Sequence, residues 1–112
     1  MAGIDAFAAG NYEQAIAAYQ QALAEDPNYT DPLHGLAQIY SLEGRLDEAI
    51  EIAKKISEVD PDDVMAHTTL SVLYQKKGMI PEAEAEANKA RVLSWKQQLK
   101  GQKELEQQKE QK

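Results

Sequence analysis

The stretch Thr30–Pro61, TDPLHGLAQIYSLEGRLDEAIEIAKKISEVDP, decides how this chain folds. It reads as two amphipathic helices joined at Glu43-Gly44-Arg45 and closed by Asp60-Pro61. In the first helix Leu33, Leu36, Ala37 and Tyr40 fall on one side, and in the second Leu46, Ala49, Ile50, Ala53 and Ile56 do so, at the spacing of about 3.6 residues that one helix face requires. Glycine at 44 supplies the backbone freedom that ends one helix before the next begins.

Working outward, the same unit recurs. The pair Asp-Pro stands at 26–27 and again at 60–61, a period of 34 residues. On that period Gly10, Gly44 and Gly78 coincide, as do Ala15, Ala49 and Ala83, Leu36 and Leu70, Tyr40 and Tyr74, and Tyr12, Leu46 and Ile80. Before the quoted stretch, Ala15, Ile16, Tyr19, Ala22 and Leu23 form an apolar stripe over about 12–26, and after it Leu70, Leu73 and Tyr74 do the same over about 63–77. The small residues let helix backbones approach closely, and the tyrosines fill the remaining space.

The positions Leu36, Ala37, Tyr40, Gly44, Leu46, Ala49, Ala53 and Pro61 resemble the tetratricopeptide repeat, a 34-residue helix–turn–helix, and the resemblance covers roughly residues 2–93. It implies an all-α fold, a right-handed α-solenoid of about three units at 1–29, 30–63 and 64–95, with a polar helical extension at 96–112. By register the first unit lacks about five residues of its opening turn. Asp31 or Thr30 is expected to cap the helix that Pro32 enters, Pro being tolerated in a first turn. Trp95 stands where the family closes a repeat with proline, and nothing between Glu82 and Lys100 breaks a helix. One long helix is therefore expected from about Pro81 to at least Leu99, weakened at Gly101 and fraying beyond it.

Composition narrows the function classes. The net charge of −7 is uneven: residues 1–95 hold 16 acids and 7 bases, residues 96–112 hold 3 acids and 5 bases. An acidic body repels nucleic-acid phosphate and anionic membrane, so neither is expected as a partner, and no apolar run is long enough for membrane insertion. There is no cysteine, so disulfides and thiol chemistry are excluded and the redox compartment stays open.

No constellation for catalysis stands out, and no cofactor or metal is expected. His34 and His67 are the two histidines and neither has a partner at ligand spacing; His67 takes the family's large-aromatic position and is assigned to packing. Glu82, Glu84 and Glu86 fan around a helix, and Asp60, Asp62 and Asp63 lack the glycine and closing glutamate of a calcium loop and are read as caps. Nucleophile, base and orienter cannot all be filled, so the chain is not read as an enzyme.

The informative surface is a stripe away from the core face: Asp31, His34, Gln38 and Ser41 in one helix, Met65, Thr68, Val72 and Gln75 two helices later, and Ile4 and Phe7 near the start. The resemblance implies that these line a concave face holding an extended peptide or partner helix. Family members that clamp acidic chaperone tails do so with Lys, Asn and Arg, whereas this chain offers only Lys76 nearby, so that ligand is not expected. The reading is a non-catalytic scaffold for a protein or peptide partner. The alternative is a self-assembling module, or the C-terminal cap of a longer array, pairing through Val92, Trp95 and Leu99 on the last helix. Trp95 is expected to meet a partner or another copy; the other reading is an intramolecular cap, the ring half-covered around Tyr74 and Lys77.

Overall fold

The structure, a computed structural model, describes residues 10–110. Among them lie five helices and no strand: α1 Tyr12–Glu25, α2 Thr30–Leu42, α3 Leu46–Val59, α4 Val64–Lys76 and α5 Ile80–Glu110. Each packs chiefly on the helices before and after it, as expected of a stack of helical hairpins. The expected stretch before Gly10 lies outside the described residues.

The turns explain the period. Gly10, Gly44 and Gly78 all have φ near +77°, in the left-handed region that side chains disfavour (78°, 76° and 77°). At Gly44 the end of α2 is closed by Arg45 N–H donating to Tyr40 O at 2.8 Å and Gly44 N–H to Ser41 O at 3.1 Å. Met79 to Tyr74 O (2.8 Å) and Gly78 to Gln75 O (3.0 Å) repeat the arrangement at the end of α4. These paired bonds satisfy the last carbonyls of a helix and reverse the chain in two residues.

The Asp-Pro turns work from the other side. Asp60 Oδ1 accepts from Asp62 N–H at 3.1 Å, and Asp63 Oδ1 accepts from Ala66 N–H at 3.1 Å as the N-cap of α4. The expected capping role of Thr30 or Asp31 is corrected here. The N-cap of α2 is Tyr29, with no side-chain cap bond, and Thr30 is already the first helical residue. Tyr29 holds the phase of Asp63, and a phenol ring has no oxygen within reach of the first-turn amides.

One core runs through the stack. It unites Ala15 and Tyr19 of α1, Leu36, Ile39 and Tyr40 of α2, Ala49, Ile50 and Ala53 of α3, Leu70, Leu73 and Tyr74 of α4, and Ala83 of α5. A second cluster, Leu33, Ile56 and Ala66, closes the opposite end of the α2–α3–α4 interface. Alanines at 15, 49 and 53 are fully buried, so neighbouring backbones come together at those points. Ser71 is buried too and satisfies its hydroxyl by donating to Ala83 O at 2.9 Å.

The last helix is longer than a repeat needs. At 31 residues α5 is about 46 Å long. It passes through Gly101 without a break.

Candidate functional site

The residues singled out along the sequence separate into three groups. His34, Gln38, Ser41, Met65, Thr68 and Val72 line one groove of about 380 Å³ between α2 and α4, joined there by Ala37, Leu42, Thr69 and Leu73. Asp31 and Gln75 are exposed on the same two helices but do not line it, and Ile4 and Phe7 lie outside the described residues.

The spacing of the repeat makes this groove. Helices α2 and α4 are both first helices of their units, so the same wheel positions of each face one another across a gap. Leu42, Met65 and Val72 are well exposed there, at 57, 62 and 44 %. Such apolar exposure flanked by hydroxyls and amides is what a recognition groove presents, since the apolar area drives association and the neutral polar groups orient it. Charge is almost absent. Lys76 Nζ donates to Ser41 Oγ at 3.0 Å, which ties the groove's nearby cation across its end.

His34 has a structural partner as well. Its Nε2 donates to Asp63 Oδ2 at 2.8 Å, and Asp63 is also the N-cap of α4. One carboxylate thus joins the start of α4 to the side of α2 and holds the groove at that end. His67 is half-buried, as packing requires, but its ring is not merely an aromatic filler. Nδ1 donates to Glu86 Oε2 at 2.7 Å and Nε2 lies 3.3 Å from Ser57 Oγ, so one ring joins α3, α4 and α5. A carboxylate 19 residues further along the chain is invisible to any local spacing rule.

The third group sits on α5. Val92, Trp95 and Leu99 are 52, 62 and 39 % exposed. Cover of Trp95 by Tyr74 and Lys77 is not made. Helices α4 and α5 are antiparallel, so this part of α5 lies beside the start of α4, where Gln97 Nε2 donates to Asp62 O at 3.0 Å. Tyr74 is in the core and Lys77 pairs with Asp47.

Among the described residues no group of three or more His, Cys, Asp and Glu is placed to hold a metal ion, and no helix is long and apolar enough to cross a membrane.

Paired antiparallel helices at a fixed period, enclosing a groove between alternate members, define the class as a helical-repeat interaction scaffold. The sequence model of the tetratricopeptide repeat matches residues 6–71, and the chain belongs to that family. It is 32 % identical over 91 residues to the photosystem I assembly protein Ycf3 of Synechococcus sp. (strain CC9605), covering 79 % of this chain and 53 % of that protein. Among solved structures it is similar to the crystal structure of MamA, with a TM-score of 0.82 at 29 % identity over 85 % of this chain and 56 % of that one. The second tetratricopeptide domain of Spaghetti (RPAP3), solved with the HSP90 peptide SRMEEVD, shares the fold at a TM-score of 0.75 and 22 % identity, over 81 % and 79 % of the two chains. The chain thus spans about half the length of Ycf3 and of MamA.

Proposed function

We propose that this chain is a non-catalytic scaffold that binds an extended peptide or a partner helix in the groove between α2 and α4. The observation that carries the reading is the groove itself: six of the sequence-selected residues converge on one concave, largely apolar surface, and no core function requires Met65, Val72 or Gln38 to be there.

The lining favours one ligand class over another. The peptide held by the RPAP3 domain, SRMEEVD, is acidic towards its C-terminus. An acidic tail needs cations on the groove wall, each charge-assisted bond contributing about 1.5–3 kcal/mol. Here the lining offers His34, Gln38, Ser41, Thr68 and Thr69, and His34 is engaged with Asp63. An apolar segment with neutral polar groups fits better than an acidic tail.

The test is capture from native lysate by the wild type and by a Gln38→Glu, Val72→Asp double variant. Both side chains are exposed, so the circular dichroism and thermal midpoint should stay within error. Loss of captured proteins with folding intact supports the groove. An unchanged set of captured proteins overturns it.

A further inference from the structure

The outer face of α5 carries an arrangement that the groove does not use. On a helix turning about 100° per residue, Trp95 and Leu99 fall within about 60° of Val92, directed away from the face that Ala83, Ala90 and Leu93 turn to the body. Immediately beside that apolar line runs a second one, Lys89, Lys96, Lys100 and Lys103, at spacings of 7, 4 and 3. Lys89 pairs with Glu86 at 3.2 Å, while Lys96, Lys100 and Lys103 enter no ion pair among the described residues. Where α5 leaves the start of α4, Val92, Leu93, Pro61 and His67 border a recess of about 400 Å³ with Lys89 on its rim. Beyond Gln97 the helix makes no hydrogen bond or ion pair to the body among the described residues. The surface is therefore an apolar strip ending in a recess, lined along one side by cations.

Charge decides among the occupants. A second copy pairing antiparallel through this strip would set each lysine line against its twin, because twofold symmetry keeps the same flank on the same side. A parallel pair would offer the lysines the opposite flank, which has one acid, one base and two neutral amides (Glu84, Arg91, Gln98, Gln102). An anionic membrane would meet four lysines but also the adjoining body, whose 16 acids against 7 bases repel it. An amphipathic partner segment carries its own carboxylates to the lysines and is small enough to avoid the acidic body.

We propose that the outer face of α5 from Lys89 to Lys103 is a second docking surface, taking an acidic amphipathic segment of a partner protein. Its apolar residues lie on Val92, Trp95 and Leu99 and enter the recess, and its carboxylates meet the lysine line. This surface is separate from the α2–α4 groove, and either can operate without the other.

Trp95 is the only tryptophan and lies in the centre of the surface, so its fluorescence reads occupancy directly. The probe is a tryptophan-free synthetic helix of about 18 residues with leucines on one stripe and glutamates on both flanks. The expected result is a saturable blue shift of the full chain's emission that weakens with salt. Lys96→Glu with Lys100→Glu should weaken binding about tenfold or more, whereas the groove variant Val72→Asp should bind as the wild type does. Any of these outcomes overturns the proposal: an unchanged spectrum, an equal response to the same peptide with lysines in place of glutamates, loss of binding in Val72→Asp, or a blue shift produced by raising the chain's own concentration without peptide. A stronger shift on phosphatidylserine vesicles than on the peptide would overturn it too, in favour of a membrane.

Discussion

The ring of Tyr19 lies directly against Gly35: a Cβ built on Gly35 would stand 2.5 Å from both Cε2 and Cζ of that ring. Gly35 sits inside α2 with ordinary helical geometry, so its need for glycine is a matter of room and not of backbone angle. The ring is 4 % exposed and packed within the core, which leaves it little freedom to retreat. A missing side chain on α2 here makes space for a tyrosine ring of α1.

Gly35→Ala should therefore destabilise the domain. Alanine favours a helix over glycine by about 1 kcal/mol, but overpacking costs about 1–3 kcal/mol and should win at this site. Gly101 provides the opposite case, a helical glycine with nothing within 4 Å of its added Cβ. Gly101→Ala should raise helicity at 222 nm without changing the urea midpoint of the body. A gain in stability from Gly35→Ala would show that the Tyr19 ring moves aside freely.

Ala49 is fully buried where α3 meets its neighbours, whereas Ala17 faces solvent on α1. Leucine at 49 forces backbones apart at a cost of about 1–3 kcal/mol. Thermal melts should show Ala49→Leu several degrees below wild type and Ala17→Leu indistinguishable from it. Equal effects would contradict the assignment of faces.

The His67–Glu86 pair is 12 and 14 % exposed, and it joins two helices. Glu86→Ala leaves the imidazole without its carboxylate in a half-buried setting, which should cost about 1–3 kcal/mol in urea unfolding. Replacing both partners, His67→Leu with Glu86→Leu, removes the stranded group along with its acceptor and should recover most of that loss. A cycle of His67→Leu, Glu86→Leu and the double variant gives the coupling, expected at about 1–3 kcal/mol. Additive losses would mean that the two side chains act independently.

Burial pushes the Tyr19 phenol above its ordinary pKa of 10.0. The folded state then keeps its proton at a pH where the unfolded chain has released it. Stability linked to Tyr19 is complete below the unfolded value, about 10, and falls as pH rises towards the higher folded value. Urea midpoints measured from pH 8 to 11 should decline at the alkaline end, and Tyr19→Phe should decline less steeply. Identical slopes would assign the alkaline loss to other groups.

What the sequence by itself determined is everything with a period. The Asp-Pro pairs, the glycines at 10, 44 and 78 and the alanines at 15, 49 and 83 follow from local rules: caps and left-handed turns act within a few residues, and helix faces repeat every few positions. These were enough for the helix–turn–helix unit, the stacked architecture and the continuation of the last helix past Trp95. They also brought Gln38, Met65 and Val72 onto one list, because matching wheel positions in equivalent helices must face the same side. Relationships between helices were decided only by the tertiary structure. The close approach of Tyr19 to Gly35, the His34–Asp63 and His67–Glu86 pairs, and the bond that Gln97 makes to Asp62 depend on which residues antiparallel packing sets opposite each other. A helical period says which way a side chain points; it does not say how far along a neighbouring helix its partner stands.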